Sequence, residues 1–338
     1  MAESKDSEPL DTTGLPVGVV GAGTMGTGVA QCFAAAGHPV VVVDPDPAAR
    51  AAGPERLRAG VRSARLLRRS AVGPVDERVT WAEKPSALSG VGFVVECGPE
   101  RLPVKEEVLR ELDRVCPPEA AFASCTSAIP IARLGSFTAR PQRVIGTHFM
   151  NPAPLKDTVE VIRSPHTSDA TLALTVGLLA GLGKKAIVVG DGPGFVSNRV
   201  LMLTVNEAAA VVEAGTADAD TVDRVFKDCF GHPTGPLRTA DLIGLDTVVD
   251  TLVVLREHTG DERFTPTPLL ARLVADGSLG RKSGRGFHPY PHAGNPGPGG
   301  SGPGGSGPGG SGPGHSGPGN PSPEAADRSR SEGAGSHV

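Results

Sequence analysis

Two residues with complementary chemistry, His148 and Glu160, lie in the stretch GTHFMNPAPLKDTVEVI, residues 146–162. An imidazole ionises near neutral pH, and a nearby carboxylate can hold the ring in one tautomer and stabilise its charged form. The pair could therefore act as a general base that removes a proton from a hydroxyl group. The two side chains can meet only if the Asn-Pro-x-Pro turn at 151–154 returns the chain beside itself. An isolated histidine is more often a structural residue with its hydrogen bonds satisfied than a general base. The assignment of His148 therefore depends on the elements around it.

A G-x-G-x-x-G motif follows the apolar run Val17–Val20 and consists of Gly21, Ala22, Gly23, Thr24, Met25 and Gly26. The spacing alone is a weak indication, but here it lies between a predicted strand and a predicted helix, which favours a bound pyrophosphate over an empty turn. Asp44 follows Gly26 by 18 residues, at the end of the next apolar run. A carboxylate at that place accepts bonds from ribose hydroxyls and repels a 2′-phosphate, so the sequence predicts NAD rather than NADP.

The elements that must position these residues follow from the apolar periodicity. Strands are predicted at 17–20, 40–43, 92–96, 121–124, 143–148, 158–162 and 185–190, with helices at 24–36, 105–116 and 169–183. Such alternation is typical of a doubly wound, parallel α/β sheet. Beyond the linker GDGPG the spacing is helical throughout. We expect a nucleotide-binding domain at 15–190 and an all-helical second domain at 191–290.

Composition limits the class of protein. Residues 1–14 are polar, and 291–338 consist of Gly/Pro repeats and a polar end, so both are expected to be flexible, the latter a disordered tail. A net charge of −4 and a sequence pI of about 6.2 argue against nucleic-acid binding. Five scattered cysteines without CxxC spacing indicate reduced thiols, not zinc ligands or disulfides. No apolar run approaches ~18 residues, so we expect no membrane partner and a cytoplasmic location.

Taken together, the motifs resemble the L-3-hydroxyacyl-CoA dehydrogenase family, which includes 3-hydroxybutyryl-CoA dehydrogenases. The resemblance covers about residues 17–290 and rests on GAGTMG, VVE with KEE, TSAIPI, GTHFMNPAP, TVEVI, DGPGFVSNR, GPLRTADLIGLD and GRKSGRGF. It implies a Rossmann-type domain followed by a helical domain that forms a homodimer interface. It also implies NAD-dependent oxidation of a 3-hydroxyacyl thioester, carried by coenzyme A or an acyl carrier protein, to the 3-oxoacyl thioester.

The resemblance also assigns roles to four residues of the reaction site. It makes His148 the base, Glu160 its orienting partner, Ser127 a neighbour of the substrate hydroxyl and nicotinamide, and Asn198 the amide that polarises the thioester or keto oxygen. On local sequence alone, Ser127 is more often a turn or N-cap residue, and Asn198 is equally well a helix cap.

The cofactor and substrate contacts implied by the resemblance are less specific. Glu100, Lys105, Asn151 and Lys282 match family positions that contact NAD, although Lys and Glu are more often solvated surface charges. The arginine-rich stretch 50–69 matches a helical arm that holds the coenzyme A end, with Arg65 and Arg68 as candidates. Arginine side chains can bind the phosphates of coenzyme A, but a solvated basic helix explains the stretch equally well.

Three alternatives remain open. Cys125 stands where the family commonly has Asn, and Asp157 where many members have Lys, which resembles a polyketide subgroup that oxidises glyceryl-acyl carrier protein toward hydroxymalonyl or methoxymalonyl extender units. A β-hydroxyacid dehydrogenase would need a catalytic lysine near Asn198, and residues 195–209 contain none. A non-catalytic NAD-binding structural protein would be expected to have lost His148 or Glu160, and both are present.

Overall fold

The computed structural model describes residues 12–68 and 75–290. The predicted flexible segment 1–14 lies mostly outside these ranges, and the predicted disordered tail 291–338 lies wholly outside them. Eight strands form one sheet in the order β3-β2-β1-β4-β5-β6-β7-β8. They are β1 (Val17–Val20), β2 (Val40–Val43), β3 (Val79–Ala82), β4 (Phe93–Glu96), β5 (Ala121–Ser124), β6 (Val144–Phe149), β7 (Thr158–Arg163) and β8 (Lys185–Gly190).

Neighbouring strands pair in parallel except β6 and β7, which are antiparallel. Eight residues, 150–157, separate these two strands. A parallel crossover needs a dozen or more residues, so this short connection permits only the antiparallel arrangement. The prediction of a parallel sheet is therefore wrong for the pair β6 and β7. Strand β3, which the sequence pattern did not predict, is a short edge strand with only Val79 buried.

Helices cover both faces of the sheet. They are α1 (Thr24–Ala35), α2 (Pro47–Arg68), α3 (Leu102–Val115), α4 (Ile131–Gly135) and α5 (Asp169–Gly181). One buried cluster includes Val19 and Phe33 and another includes Val94 and Phe122. Because β1, β4 and β5 are buried on both faces, their sequences do not alternate between apolar and polar residues, and only the last residues of β4 and β5, Glu96 and Ser124, are polar.

Beyond β8 the described chain is helical. It contains α6 (Ser197–Glu213), α7 (Ala219–Asp228), α8 (Pro236–Ile243), α9 (Leu245–Thr259) and α10 (Pro268–Ala275). These helices enclose a third buried cluster, which includes Met202, Leu237 and Leu252. The predicted fold class, a Rossmann-type sheet followed by a helical part, is confirmed. In residues 12–68 and 75–290, no helix is long and apolar enough to span a membrane.

Candidate active site

The antiparallel pairing of β6 and β7 places His148 directly opposite Glu160. Directly opposed residues project to the same face of a sheet, so their side chains can meet. Nδ1 of His148 lies 3.1 Å from Oε2 of Glu160, and each residue is only 7% exposed. The short turn that dictates the antiparallel pairing therefore also creates the histidine–carboxylate pair that the sequence predicted.

The carboxylate of Glu160 is held by four donors. Oε1 accepts bonds from the backbone N–H groups of Val196 (2.9 Å) and Ser197 (3.1 Å), and Oε2 accepts the Ser197 hydroxyl (2.5 Å) as well as His148. Burial acts to raise the pKa of Glu160, but these hydrogen bonds from His148, Ser197 and Val196 outweigh it and lower the pKa to about 2. Glu160 is thus charged at neutral pH, and it draws the ring proton of His148 to Nδ1. The Nε2 lone pair is left as the basic site.

Two residues beside this pair were not predicted from the sequence, Ser197 and Phe195. The Phe195 ring lies 6.0 Å from the imidazole of His148, centroid to centroid. Its φ of 55° makes it the one non-glycine residue of the described ranges with a positive φ. Such a conformation costs of order 1–3 kcal/mol and is often found at functional sites. Both residues belong to the quoted motif DGPGFVSNR, which therefore contains more of the site than Asn198 alone.

The turn that carries Ser127 is fixed by Glu100. Oε1 of Glu100 accepts bonds from the Thr126 hydroxyl (2.5 Å) and from the backbone N–H groups of Ser127 (2.9 Å) and Ala128 (3.1 Å). The amide of Asn198 donates to the Ser127 carbonyl at 2.8 Å. The structure therefore brings Ser127 and Asn198 together and shows Glu100 as the anchor of their turn.

Lys105 lies in a buried network of ion pairs and not on the exposed surface. It is 1% exposed, and its ammonium lies 3.0 and 2.9 Å from the two oxygens of Glu96 and 3.4 Å from Oε2 of Glu100. Burial acts to lower the pKa of Lys105, but the neighbouring carboxylates of Glu96 and Glu100 raise it overall. Glu96 was not predicted, although a glutamate that ends the apolar run FVVE was a visible indication.

The glycine turn leaves room for an anion. Gly21 has a φ of 103°, and a Cβ on Gly26 would lie 1.9 Å from the Gly21 carbonyl oxygen, so neither position tolerates a side chain. A Cβ on Gly23 would meet nothing within 4 Å, so open space lies beside the first turn of α1. Thr24 and Met25 begin that helix, and the first N–H groups of a helix have no carbonyl partner within it. These features fit the pyrophosphate of a dinucleotide.

Asp44 adjoins the same turn. Its Oδ2 accepts the Ala22 N–H at 2.7 Å and its Oδ1 accepts the Asp46 N–H at 2.9 Å. Arg56, which was not predicted, donates to the Ala22 carbonyl at 2.6 Å. A groove of about 640 Å³ is lined by Val43 and Pro45, which flank Asp44 in the sequence, by further apolar residues such as Val104, and by charged residues such as Glu107. The apolar part of this groove would fit an adenine base.

The remaining predicted residues lie in three different places. Asn151 and Thr24 line a cavity of about 400 Å³ between α1, α2 and the turn at 151–155. Arg65 lines a separate groove near Asp76, and the side chain of Arg68 lies outside the described part of the chain. Lys282 donates to both oxygens of Asp246 at 2.6 Å, which ties it to the start of α9.

Comparisons with known proteins match this geometry over nearly all of the described chain. Residues 16–192 match the family described as 3-hydroxyacyl-CoA dehydrogenase, NAD binding domain, and residues 194–290 match its C-terminal domain. The chain belongs to the 3-hydroxyacyl-CoA dehydrogenase family. The predicted resemblance is therefore confirmed, and so is the prediction of NAD as cofactor.

Relatives of the chain within this family occur in bacteria and in mammals. A probable 3-hydroxybutyryl-CoA dehydrogenase of Bacillus subtilis is 44% identical over 275 residues, which cover 80% of this chain and 96% of that protein. The mitochondrial hydroxyacyl-coenzyme A dehydrogenase of Sus scrofa is 36% identical over 81% of this chain and 90% of its own. The solved (S)-3-hydroxybutyryl-CoA dehydrogenase of Ralstonia eutropha superposes with a TM-score of 0.76 at 37% identity, covering 82% of this chain and 99% of that one.

Proposed function

We propose that the protein oxidises a 3-hydroxyacyl-CoA thioester to the 3-oxoacyl thioester with NAD, and that His148 is the general base. The observation that carries this proposal is the buried His148–Glu160 pair in a chain of the 3-hydroxyacyl-CoA dehydrogenase family. The curated relatives named above act on 3-hydroxyacyl-CoA substrates by name, which supports the coenzyme A thioester as substrate class.

The proton of the substrate hydroxyl passes to Nε2 of His148. The bond between that hydroxyl oxygen and its hydrogen breaks as the C3–O bond gains double-bond character. Bound NAD supplies the acceptor for the hydride that leaves C3. The imidazolium that forms is stabilised by the charged carboxylate of Glu160, which receives the Nδ1–H at 3.1 Å. Because three other donors, from Val196 and Ser197, hold Glu160, the ring keeps one orientation throughout the proton transfer.

Asn198 and Ser127 are proposed to bind the reacting end of the substrate. An amide nitrogen has two N–H donors, and Asn198 uses one on the Ser127 carbonyl. The second N–H is available to polarise the thioester or keto oxygen, which develops negative charge during the reaction. The turn that carries the Ser127 hydroxyl is fixed by Glu100, which supports a preorganised position next to the substrate.

The cofactor is proposed to lie along the carboxyl edge of the sheet. Gly21, Gly23 and Gly26, with the first turn of α1 at Thr24 and Met25, would hold the pyrophosphate, and Asp44 would accept the adenosine ribose hydroxyls. Glu100 and Asn151 would border the nicotinamide half. Lys105 supports this region by neutralising Glu96 and Glu100, because its own ammonium is buried. The bonds of Lys282 to Asp246 favour a structural role over a cofactor contact.

A panel of thioesters tests the substrate class. Turnover of 3-hydroxybutyryl-CoA, longer 3-hydroxyacyl-CoA esters and the corresponding acyl carrier protein esters is followed by the absorbance of reduced nicotinamide. We expect turnover of the CoA esters. Tight NADH binding without turnover of any thioester would instead favour a non-catalytic NAD-binding protein.

A second candidate is oxidation of a glyceryl-acyl carrier protein for polyketide extender units. The end of α2 favours it, because Leu66 and Leu67 are 81% and 69% exposed there, on the same helix as Arg58, Arg62 and Arg65. An acidic carrier protein with an apolar contact would complement such a surface. Arg58 and Arg62 are partly neutralised by Glu55, which weakens this attraction. A higher kcat/KM for the glyceryl-carrier protein than for 3-hydroxybutyryl-CoA would favour this candidate.

A homodimer through the helical part is also proposed. A groove of about 640 Å³ between α6 and α7 is lined largely by apolar side chains, among them Leu203, Val211, Val225 and Phe226. Exposed apolar surface of this kind marks protein interfaces. Sedimentation at micromolar concentration tests it, and Val225→Glu is expected to yield monomers. The cytoplasmic location remains a prediction, which the five free cysteines support.

A further inference from the structure

The first residue of α6, Ser197, places its hydroxyl against both members of the catalytic pair. Its Oγ lies 2.5 Å from Oε2 of Glu160 and 3.2 Å from Nδ1 of His148. The same Oε2 lies 3.1 Å from Nδ1. The three atoms therefore form a closed triangle. Two protons lie within it, one on the hydroxyl and one on the imidazole ring.

The direction of these hydrogen bonds follows from the charge on Glu160. An ionised carboxylate only accepts, so the hydroxyl of Ser197 donates to Oε2, and 2.5 Å is a short distance typical of an O–H···O⁻ bond. The ring proton on Nδ1 is directed to the same oxygen at 3.1 Å, with the hydroxyl oxygen of Ser197 as a second acceptor at 3.2 Å. Ser197 and His148 thus share one carboxylate oxygen, and each donor reduces the negative charge available to the other.

We propose that Ser197 is a positioning residue that sets the basicity of His148 through Glu160. The inference rests on the proposed function, in which Nε2 of His148 accepts the substrate proton. By donating to Oε2, Ser197 weakens the stabilisation that Glu160 gives to the imidazolium. His148 is thereby kept unprotonated to a lower pH than a pair without the hydroxyl would allow, which suits a base that must be neutral before each turnover.

The position of Ser197 also couples the two halves of the chain. Its backbone N–H and that of Val196 donate to Oε1 of Glu160, and its hydroxyl donates to Oε2. The start of α6 therefore binds both carboxylate oxygens of a residue on β7. The orientation of the carboxylate, and through it the imidazole, therefore depends on how the helical part meets the sheet.

Other charges near the pair do not change when Ser197 is replaced. The neighbouring elements carry Lys185 on β8, Asp191 in the linker, Arg199 on α6, and Glu100 with Lys105 near the Ser127 turn. Lys185 is exposed and pairs in register with Thr158, two residues from Glu160. Asp191 accepts the backbone N–H groups of Ile131 and Ala132. Because these groups are the same in every variant, a difference in pH dependence between variants is due to the hydroxyl at position 197.

The test is the pH dependence of kcat/KM for oxidation in the wild type, Ser197→Ala and Ser197→Thr. The rate falls at low pH where His148 is protonated. Loss of the hydroxyl leaves Glu160 more strongly attracted to the imidazolium, so Ser197→Ala should move the midpoint of that fall up by about one pH unit. Ser197→Thr keeps a hydroxyl and should retain the wild-type midpoint. Coincident midpoints for wild type and Ala, or an equal shift in Thr, would overturn the proposal.

Two further measurements separate the possible failures. Should Ser197→Ala fold poorly, Ser197→Cys supplies a weaker donor of similar size, and its midpoint is expected between wild type and the predicted Ala value; a wild-type midpoint would reject the role. His148→Gln is assayed in parallel. If His148→Gln retains turnover, the proposed function itself fails; if it is inactive while Ser197→Ala shows no shift, only the role of Ser197 fails.

Discussion

The glycine turn after β1 is formed by six consecutive residues, whereas the His148–Glu160 pair takes its contacts from three separate segments. Gly21–Gly26 and the start of α1 form one local unit, whose shape follows from the absence of Cβ atoms. The histidine, the glutamate and Ser197 lie on β6, β7 and α6. A local motif can hold a cofactor, but the chemical pair requires the whole fold. Changes in the two regions should therefore alter different kinetic constants.

The largest effect is expected from His148→Gln. Glutamine cannot accept the substrate proton, and general-base catalysis contributes about 10²–10⁴-fold, so kcat should fall by that factor. The NADH affinity should stay within about twofold, because the glycine turn is untouched. Stopped-flow turnover and fluorescence titration with NADH measure the two quantities. A comparable loss in both would show that the two regions are not separate.

Lys105→Met should strongly destabilise the protein. It removes the ammonium that neutralises Glu96 and Glu100, and an uncompensated buried charge costs about 3–5 kcal/mol. Lys282→Met is the matched control, because it removes a lysine from a half-exposed pair with Asp246, where the cost is about 0–1 kcal/mol. Urea unfolding of both variants measures the difference. Equal losses of unfolding free energy would contradict the distinction drawn between these lysines.

Acid should remove the stabilisation that Glu160 provides. Its folded pKa of about 2 lies below the ordinary value of 4.5, so its contribution is complete above the ordinary value and is lost as the pH falls toward 2. The shift corresponds to about 3 kcal/mol. Unfolding free energies of the wild type and Glu160→Gln, measured from neutral pH downward, should therefore converge in acid. A gap that stays constant across that range would show that Glu160 is not ionised in the folded state as described.

Asp44→Ala should have a smaller and more selective effect. The carboxylate is proposed to bind the ribose hydroxyls, and a hydrogen bond to a charged group is worth about 1.5–3 kcal/mol, so KM for NAD should rise at least about tenfold. KM for NADP should change less, because repulsion of its 2′-phosphate is also removed. Asp46→Ala is the control, because the exposed Asp46 carboxylate accepts the Ala48 N–H in the first turn of α2 and the change leaves the Asp46 N–H that binds Asp44 in place. An unchanged ratio of NAD to NADP preference would place the discrimination elsewhere.

The contrast between the two regions also explains what could be read from the sequence. The glycine turn and the alternation of apolar strands and helices are local patterns, and the structure agrees with them; the contact of Asp44 with ribose stays a prediction. The pairing of His148 with Glu160 was predictable because a short turn separates the two strands. Lys105 was expected at the cofactor; Glu96 ends a visible apolar run, but its pairing with Lys105 follows only from the packing of β4 and α3. Ser197 was missed for the same reason, since its contacts lie 37 and 49 residues away along the chain.

The central claim is most directly tested by a crystal structure of the protein with NAD and a 3-oxoacyl-CoA, an unreactive combination that fills both sites. We predict that the 3-oxo oxygen accepts a hydrogen bond from the N–H at Nε2 of the imidazolium form that proton transfer leaves, roughly 2.6–3.2 Å away, with Nδ1 still bonded to Glu160. A thioester bound with its C3 oxygen directed away from His148, or an imidazole separated from Glu160 in the complex, would contradict it.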